Sequence, residues 1–169
     1  MPSGPNDYDF AMSLLAHGDE PQLEKLAQLL PEFPSGVDEL LGRRWIINAI
    51  DCGSLRSISW ILNCGVDLSF EDEEGYTVLH AAIDRRGADR HECLRLLLEA
   101  GAPVNARGIN DWTPAHMAAV RDDVETLRLL RAYGADFTIR TQIDNYATPL
   151  EEATRSRKTA AVAFLRSKD

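Results

Sequence analysis

The chain has 169 residues, of which 44% are hydrophobic and 27% are charged, and its formal net charge is −9. This length and composition predict a globular chain with one hydrophobic core and exclude a chain that stays disordered. The negative charge disfavours binding to nucleic acid, whose phosphates require Lys and Arg, and it would attract a protein partner with a basic face.

Three cysteines, Cys52, Cys64 and Cys93, occur without a CxxC spacing. This odd number predicts free thiols in a reducing compartment, and no cluster of zinc ligands accompanies them. The N-terminus lacks the basic head and apolar run of a signal peptide, and no window holds the roughly 18 apolar residues of a membrane span. We therefore expect a soluble, cytoplasmic protein with no membrane contact, cofactor or metal.

The N-terminal part of the chain predicts a helix pair that lacks any repeated phrase. Residues 1–6 are rich in Pro, Gly and Ser and are predicted to be flexible. A helix pair is predicted over 7–30, with Asp7 or Asp9 as the N-cap of its first helix. Residues 31–42 begin with a proline and are predicted to form an irregular connector.

Two sequence phrases recur after this connector. Thr77-Val-Leu-His-Ala-Ala and Thr113-Pro-Ala-His-Met-Ala-Ala begin 36 residues apart (113 − 77). A Leu-rich segment follows each phrase and ends in a Gly-Ala pair, at Gly101 and at Gly134. A two-part phrase with a period of roughly 33 residues is typical of a repeat array, in which each helix pair buries its apolar face against the next pair.

The phrases T-P-x-H-x-A-A and L-L-x-x-G-A-x-x-N resemble the ankyrin repeat, and the resemblance covers residues 7–169. It implies an all-α solenoid of about five helix–turn–helix repeats, caps included, with projecting β-turn loops. The internal repeats are expected at 43–65, 75–101 and 111–134. The helix pair at the N-terminus would then be one cap, and residues 146–169 would form the C-terminal cap.

The repeats match the family pattern to different degrees. In the first internal repeat, Arg44 and Trp45 occupy the positions where the pattern has Thr and Pro. The second carries three extra residues between its helices, near Arg85 and Arg90, where repeat proteins accept insertions. In the C-terminal cap, Glu151 replaces the His of the pattern.

The two recurring histidines, His80 and His116, have two possible roles. The resemblance implies that each ring connects its repeat to the next by hydrogen bonds, and this reading is favoured because the repeat pattern already accounts for both residues. A metal or catalytic pair is the alternative. The sequence shows no phosphate-binding Gly-rich loop, and no Ser/His/Asp or Cys/His set is visible.

The candidate binding residues are the positions that folding leaves free. Tyr76 and Trp112 occupy the same slot, one residue before Thr77 and Thr113. The resemblance places this slot at turn tips that open onto the concave face, and Tyr and Trp are enriched at binding hot spots. The remaining predicted contacts lie in the same slot, in the acidic turn and at the ends of the inner helices: Arg43, Glu73, Glu74, Asp84, Arg85, Asn110, Val120, Arg121 and Arg155.

The resemblance implies a non-enzymatic module that binds another protein through its concave groove and turn tips. We expect a monomer whose partner presents a basic surface, without nucleic acid. Two alternatives stay open: an inhibitor or immunity protein that occludes a toxic enzyme, and an enzyme with a site in the groove. A deep pocket with convergent polar groups would favour the enzyme.

Overall fold

The computed structural model describes residues 5–72, 75–143 and 146–167. Within these ranges the chain forms α-helices and one short 3₁₀ turn, Ile109–Asp111, but no β-strand. The helices are α1 (Pro5–His17), α2 (Glu20–Leu29), α3 (Trp45–Cys52), α4 (Leu55–Asn63), α5 (Val78–Asp84), α6 (Arg90–Glu99), α7 (Pro114–Val120), α8 (Val124–Ala132), α9 (Pro149–Arg155) and α10 (Thr159–Arg166).

The helices stack in two rows. The odd-numbered helices α1, α3, α5, α7 and α9 contact one another in sequence and form the inner row, and the even-numbered helices form the outer row. Each inner helix also packs against the outer helix that follows it. This architecture of five stacked helix pairs confirms the predicted α-solenoid, in which neighbouring pairs share one continuous core.

Small side chains allow the inner helices to pack closely. Ala81 and Ala82 of α5 and Ala118 and Ala119 of α7 are all buried. The outer helices are amphipathic instead, with apolar residues on the face that covers the inner row. In α6 that face consists of Cys93, Leu94, Leu97 and Leu98.

Three inner helices begin with the same local structure. Thr77, Thr113 and Thr148 are their N-cap residues. The Thr hydroxyl satisfies a backbone N–H at the start of each helix, which would otherwise lack a partner. Pro114 and Pro149 occupy the next position, where the missing N–H of proline costs little.

Glycines end three of the outer helices. Gly65, Gly101 and Gly134 have φ angles of 73°, 87° and 83°. Residues with a Cβ adopt this left-handed conformation only at an energetic cost, so glycine is favoured at these helix ends.

The structure moves the start of two helices. Helix α1 begins at Pro5, before Asp7 and Asp9, because proline fits the first turn of a helix. Neither Asp is therefore its N-cap, and Asp7 lies inside the first turn. The sequence predicts that the outer helix of the second repeat starts at Glu92, and in the structure α6 begins two residues earlier, at Arg90.

The connector between α2 and α3 is organised around one buried carboxylate. Asp38 is 1% exposed and accepts hydrogen bonds from the backbone N–H groups of Leu40, Leu41 and Arg43. It also accepts one from Nδ2 of the buried Asn48 in α3. Asp38 thereby holds the connector against the inner helix whose N-cap, Arg44, makes no side-chain capping bond.

Within the described part of the chain, no helix is long and apolar enough to cross a membrane.

Candidate protein-binding surface

The two recurring histidines take part in the packing of the repeats. His116 accepts a hydrogen bond at Nδ1 from the backbone N–H of Thr113, and its Nε2 donates to the carbonyl of Ala147, 3.0 Å away in the next repeat. His80 pairs its Nδ1 with the Thr77 hydroxyl at 2.8 Å. Both rings are fully buried, so neither reaches a surface where it could bind a partner.

Burial lowers the pKa of both histidines. The pKa of His80 falls to about 4 because its ring is removed from water, and the backbone of Trp112 and Thr113 offsets this only in part. Nε2 of His80 meets no partner at hydrogen-bond geometry among the described residues. The pKa of His116 is also lowered, chiefly by burial. Both rings are therefore neutral near pH 7.

The loops that connect an outer helix to the next inner helix are called the turn tips here, at 64–77, 100–113 and 133–148. Tyr76 and Trp112 are half-buried at the bases of the first two tips, where they pack against the core. Tyr76 makes an edge contact with His80, at 6.3 Å between ring centroids. Only part of each aromatic ring is therefore available to a partner.

The third turn tip exposes two apolar residues that the sequence reasoning missed. Tyr146 is 63% exposed and Ile143 is 47% exposed. Tyr146 stands one position before the slot, which Ala147 occupies, and Ala147 is buried. The slot position therefore does not identify Tyr146 as a candidate. The signal available in the sequence was the longer loop, 14 residues from Gly134 to Thr148 (148 − 134), which can project further.

Three ion pairs lie at the ends of the inner helices. Arg43 pairs with Asp51 at 2.5 Å, beside α3. Arg121, just after α7, pairs with Asp84 at the end of α5, at 2.5 Å. In α9, Arg155 pairs with Glu152 at 3.0 Å. We call these three pairs the groove ion pairs.

Arg85 differs from the other predicted contacts. Its side chain is only 6% exposed, and its guanidinium donates to the carbonyls of Ile50 and Gly53 in the preceding repeat. Asp89 receives two further hydrogen bonds, which raise the pKa of Arg85 and lower that of Asp89. Arg85 therefore joins two repeats, and its burial leaves it out of reach of a partner, contrary to its prediction as a contact residue.

The remaining predicted contacts fall in three places. Asn110 is exposed in the 3₁₀ turn of the second tip, with a φ angle of 57°. Val120 is half-buried at the end of α7, next to Arg121. Glu73 and Glu74 lie outside the described residues, so the acidic run is represented by the exposed Glu71 and the half-buried Asp72.

The described residues offer neither a metal-binding cluster nor a reactive thiol at Cys93. No group of three or more His, Cys, Asp and Glu side chains is arranged there to hold a metal ion. The three cysteines are free thiols, and burial raises the pKa of Cys93 to about 12, which keeps its thiol protonated.

Comparison with known proteins identifies the repeat. The chain matches the family model described as ankyrin repeats (3 copies) over residues 12–108 and 46–141. Human BCL-6 corepressor-like protein 1 is 38% identical over 92 residues, which is 54% of this chain and 5% of that protein. The nuclear factor NF-kappa-B p105 subunit of Gallus gallus is 32% identical over 88 residues, which is 52% of this chain and 9% of that protein.

A third relative matches a longer part of the chain. Palmitoyltransferase Hip14 of Drosophila melanogaster is 31% identical over 134 residues, which is 73% of this chain and 19% of that protein. The chain thus spans a small fraction of the length of the curated relatives it matches. What is shared with each of them is a stretch of repeats.

Proposed function

The chain belongs to the ankyrin repeat family, and we propose that it is a non-enzymatic module that binds a partner protein through its groove ion pairs and turn tips. Ankyrin repeats generally mediate protein–protein interaction. The observation that carries the proposal is the row of ion pairs at the ends of the inner helices, in which every side chain except the buried Glu152 is at least 35% exposed.

These ion pairs suit a binding surface because a partner can replace their contacts at little cost in folding free energy. In the pair between Asp84 and Arg121, the side chains are 54% and 37% exposed. An exposed pair of this kind contributes only about 0–1 kcal/mol to stability. A partner can therefore separate the two groups and replace each contact with one of its own, without a large loss of folding free energy.

The turn tips would supply the apolar contacts. Tyr146 and Ile143 project at the third tip, and the accessible edges of Tyr76 and Trp112 lie at the other two. Large aromatic side chains bury much apolar area for few rotatable bonds, which is why they often dominate interface energetics. Aromatic residues at all three tips would contact one extended partner surface.

Charge would guide the approach of the partner. The chain carries a net charge of −9, and its first turn tip contains an acidic run from Glu71 to Glu74. A partner with a basic docking face would associate faster at low salt, since long-range attraction is screened at high ionic strength.

Site-specific photo-crosslinking tests this proposal. A benzoylphenylalanine would replace Tyr146 at the third tip in one variant. In a matched control it would replace Arg128, whose side chain is 62% exposed on the outer helix α8. We expect a discrete crosslinked protein from source-cell lysate with the tip variant only. Unlabelled wild-type chain should compete for this crosslink.

A competition series then identifies the contact residues. An Ile143→Ala/Tyr146→Ala chain, changed at two exposed positions, and an Asp84→Asn/Arg121→Gln chain should compete less well than wild type while unfolding at nearly the same temperature. Crosslinking that is equal from both positions would contradict the proposed surface. Competition that falls only as far as thermal stability falls would also contradict it.

A further inference from the structure

A cavity of about 140 Å³ lies at the N-terminal end of the solenoid, between the start of α1, the end of α2, the connector and the start of α3. We call it the cap cavity. Its lining residues are Asp7, Tyr8, Leu30, Pro31, Glu32, Val37, Asp38, Glu39, Leu40 and Trp45. Its volume is below the roughly 300–1,000 Å³ typical of cofactor and drug sites, so it suits a single side chain.

The walls of the cap cavity are largely apolar. Tyr8 and Trp45 lie side by side, with ring centroids 6.5 Å apart and planes tilted by 32°. Val37 and Leu40, on the connector, are 42% and 55% exposed. An alkyl chain inserted here would cover apolar surface that is now in contact with water, which favours binding.

The charged groups of the cap cavity are all acidic. Its lining includes Asp7, Glu32, Asp38 and Glu39, and it includes no Lys, Arg or His. Among the described residues, neither Asp7 nor Glu32 forms an ion pair with a basic side chain of the chain itself. Asp38 is different, because the connector and Asn48 already satisfy its carboxylate.

The electrostatic field of the cavity therefore favours a cation. Burial raises the pKa of Tyr8, the negative charge of Asp38 adds to this effect, and the nearby Arg43, which is paired with Asp51, offsets part of it. A cation placed in the cavity would be attracted by the carboxylates, and the half-buried ring of Tyr8 would offer it an aromatic contact. An anion would find no cationic side chain in this lining.

We propose that the cap cavity receives a basic side chain, Lys or Arg, from the partner protein. The alkyl part would lie against Tyr8 and Trp45, and the charged end would approach Asp7 and Glu32. None of these residues belongs to the turn tips or the groove ion pairs, so the cavity is a second, separate contact. The inference that this side chain belongs to a partner protein rests on the proposed function.

The experiment uses small probes on the full chain, so that it does not depend on the groove. N-acetyl-lysinamide would be titrated while the indole N–H signals of the three Trp residues are followed by ¹H–¹⁵N NMR. Nε1 of Trp45 has no hydrogen-bond partner among the described residues, which makes its signal a sensitive reporter of an occupant. N-acetyl-argininamide and N-acetyl-norleucinamide would be titrated in parallel; the second lacks the charge but keeps the alkyl chain.

We expect the Trp45 signal to shift with the lysine or arginine probe, and the signal of Trp112 to stay in place. The uncharged norleucine probe should bind about fivefold more weakly, since it loses roughly 1 kcal/mol of charge attraction. An Asp7→Asn/Glu32→Gln chain should weaken binding of the basic probes by a similar factor. The matched control is Glu20→Gln/Glu24→Gln, two exposed α2 carboxylates outside the cavity lining.

Three results would overturn the proposal: an unmoved Trp45 signal at the highest soluble probe concentration, equal binding of the norleucine probe, or equal loss in both double variants. Failure of the proposed function would look different. In that case the basic probes would still shift Trp45, but the tip variant would crosslink no protein.

Discussion

Inner helices α3 and α7 occupy equivalent places in the stack, yet different chemistry holds their starts. Thr113 begins α7 with a capping box in which His116 accepts from the N-cap backbone. Arg44 begins α3 and makes no side-chain cap bond. Stabilisation there comes from Asp38, which lies outside the helix and bonds Asn48 inside it. A buried carboxylate in a connector can thus replace a local sequence motif.

The two regions also differ in how neighbouring repeats are joined. His116 reaches forward to the carbonyl of Ala147 in the last repeat. Arg85 reaches back instead, to the carbonyls of Ile50 and Gly53 at the end of α3. Arg121 likewise reaches back, to the carbonyl of Ile83, so a guanidinium makes the backward bond in both regions. Only the regular repeat that contains His116 adds a neutral ring that reaches forward.

The largest expected effect tests the role of Asp38. Asp38→Ala should lower the free energy of unfolding by about 3 kcal/mol, because several N–H groups lose a buried charged acceptor. Urea denaturation followed by circular dichroism measures this loss. Glu24→Ala is the control, since Glu24 is exposed on α2 and a surface change is expected to stay within about 0.5 kcal/mol. A loss below about 1 kcal/mol for Asp38→Ala would mean that the connector does not depend on it.

The second prediction concerns pH and the regular repeats. The pKa of His80 is about 4 in the folded chain and about 6.5 in the unfolded chain. Between these values the unfolded chain binds more protons, so stability is fully present above pH 6.5 and is lost as the pH falls toward 4. At pH 4.5 His80 alone should cost about 2.5 kcal/mol relative to pH 7, and His116 should act in the same direction.

Urea denaturation at pH 7 and at pH 4.5 checks this effect. His80→Gln should reduce the difference between the two pH values, even though the variant is less stable overall. His17→Gln should leave the difference unchanged, because His17 is exposed at the end of α1. The same pH dependence in the His80→Gln chain would show that other groups cause it.

The third prediction tests whether Arg85 has a structural role instead of a binding role. Arg85→Lys should cost about 2 kcal/mol of stability, because an ammonium cannot donate to two backbone carbonyls and Asp89 in the same planar arrangement. Thermal and urea unfolding measure the loss. The neighbouring Arg86 is exposed, so Arg86→Lys should have almost no effect. An equally stable Arg85→Lys chain would refute the structural role of this guanidinium.

The smallest expected effects come from substitutions at the N-caps of α7 and α3. Thr113→Ala should cost about 1 kcal/mol, the usual value for a lost Thr cap. Arg44→Ala removes only a contact with the Phe70 ring, at 4.2 Å, and a long ion pair to Asp67, at 3.9 Å, and should cost about 0.5 kcal/mol. Equal losses from the two changes would mean that the Thr cap adds nothing beyond ordinary contacts.

The parts of the fold that could be predicted are those set by local backbone chemistry. A Thr before a helix, a Pro in its first turn and a Gly at its end each act within a few residues, so their spacing predicted the helix pairs and the repeat family. The predicted contact surface stays a prediction. Its aromatic members Tyr76 and Trp112 are half-buried, which depends on how neighbouring repeats pack and cannot be read from a fixed slot.

The sequence by itself determined the solenoid, the order of its helix pairs and the family. Only the tertiary structure decided which charged groups are exposed. Arg85 and Asp84 are adjacent in sequence, yet one is buried between repeats and the other lies at the surface. The cap cavity likewise draws its lining from four separate segments. Burial and cavities depend on contacts between residues distant along the chain, whereas capping and repeat spacing depend on neighbours in sequence.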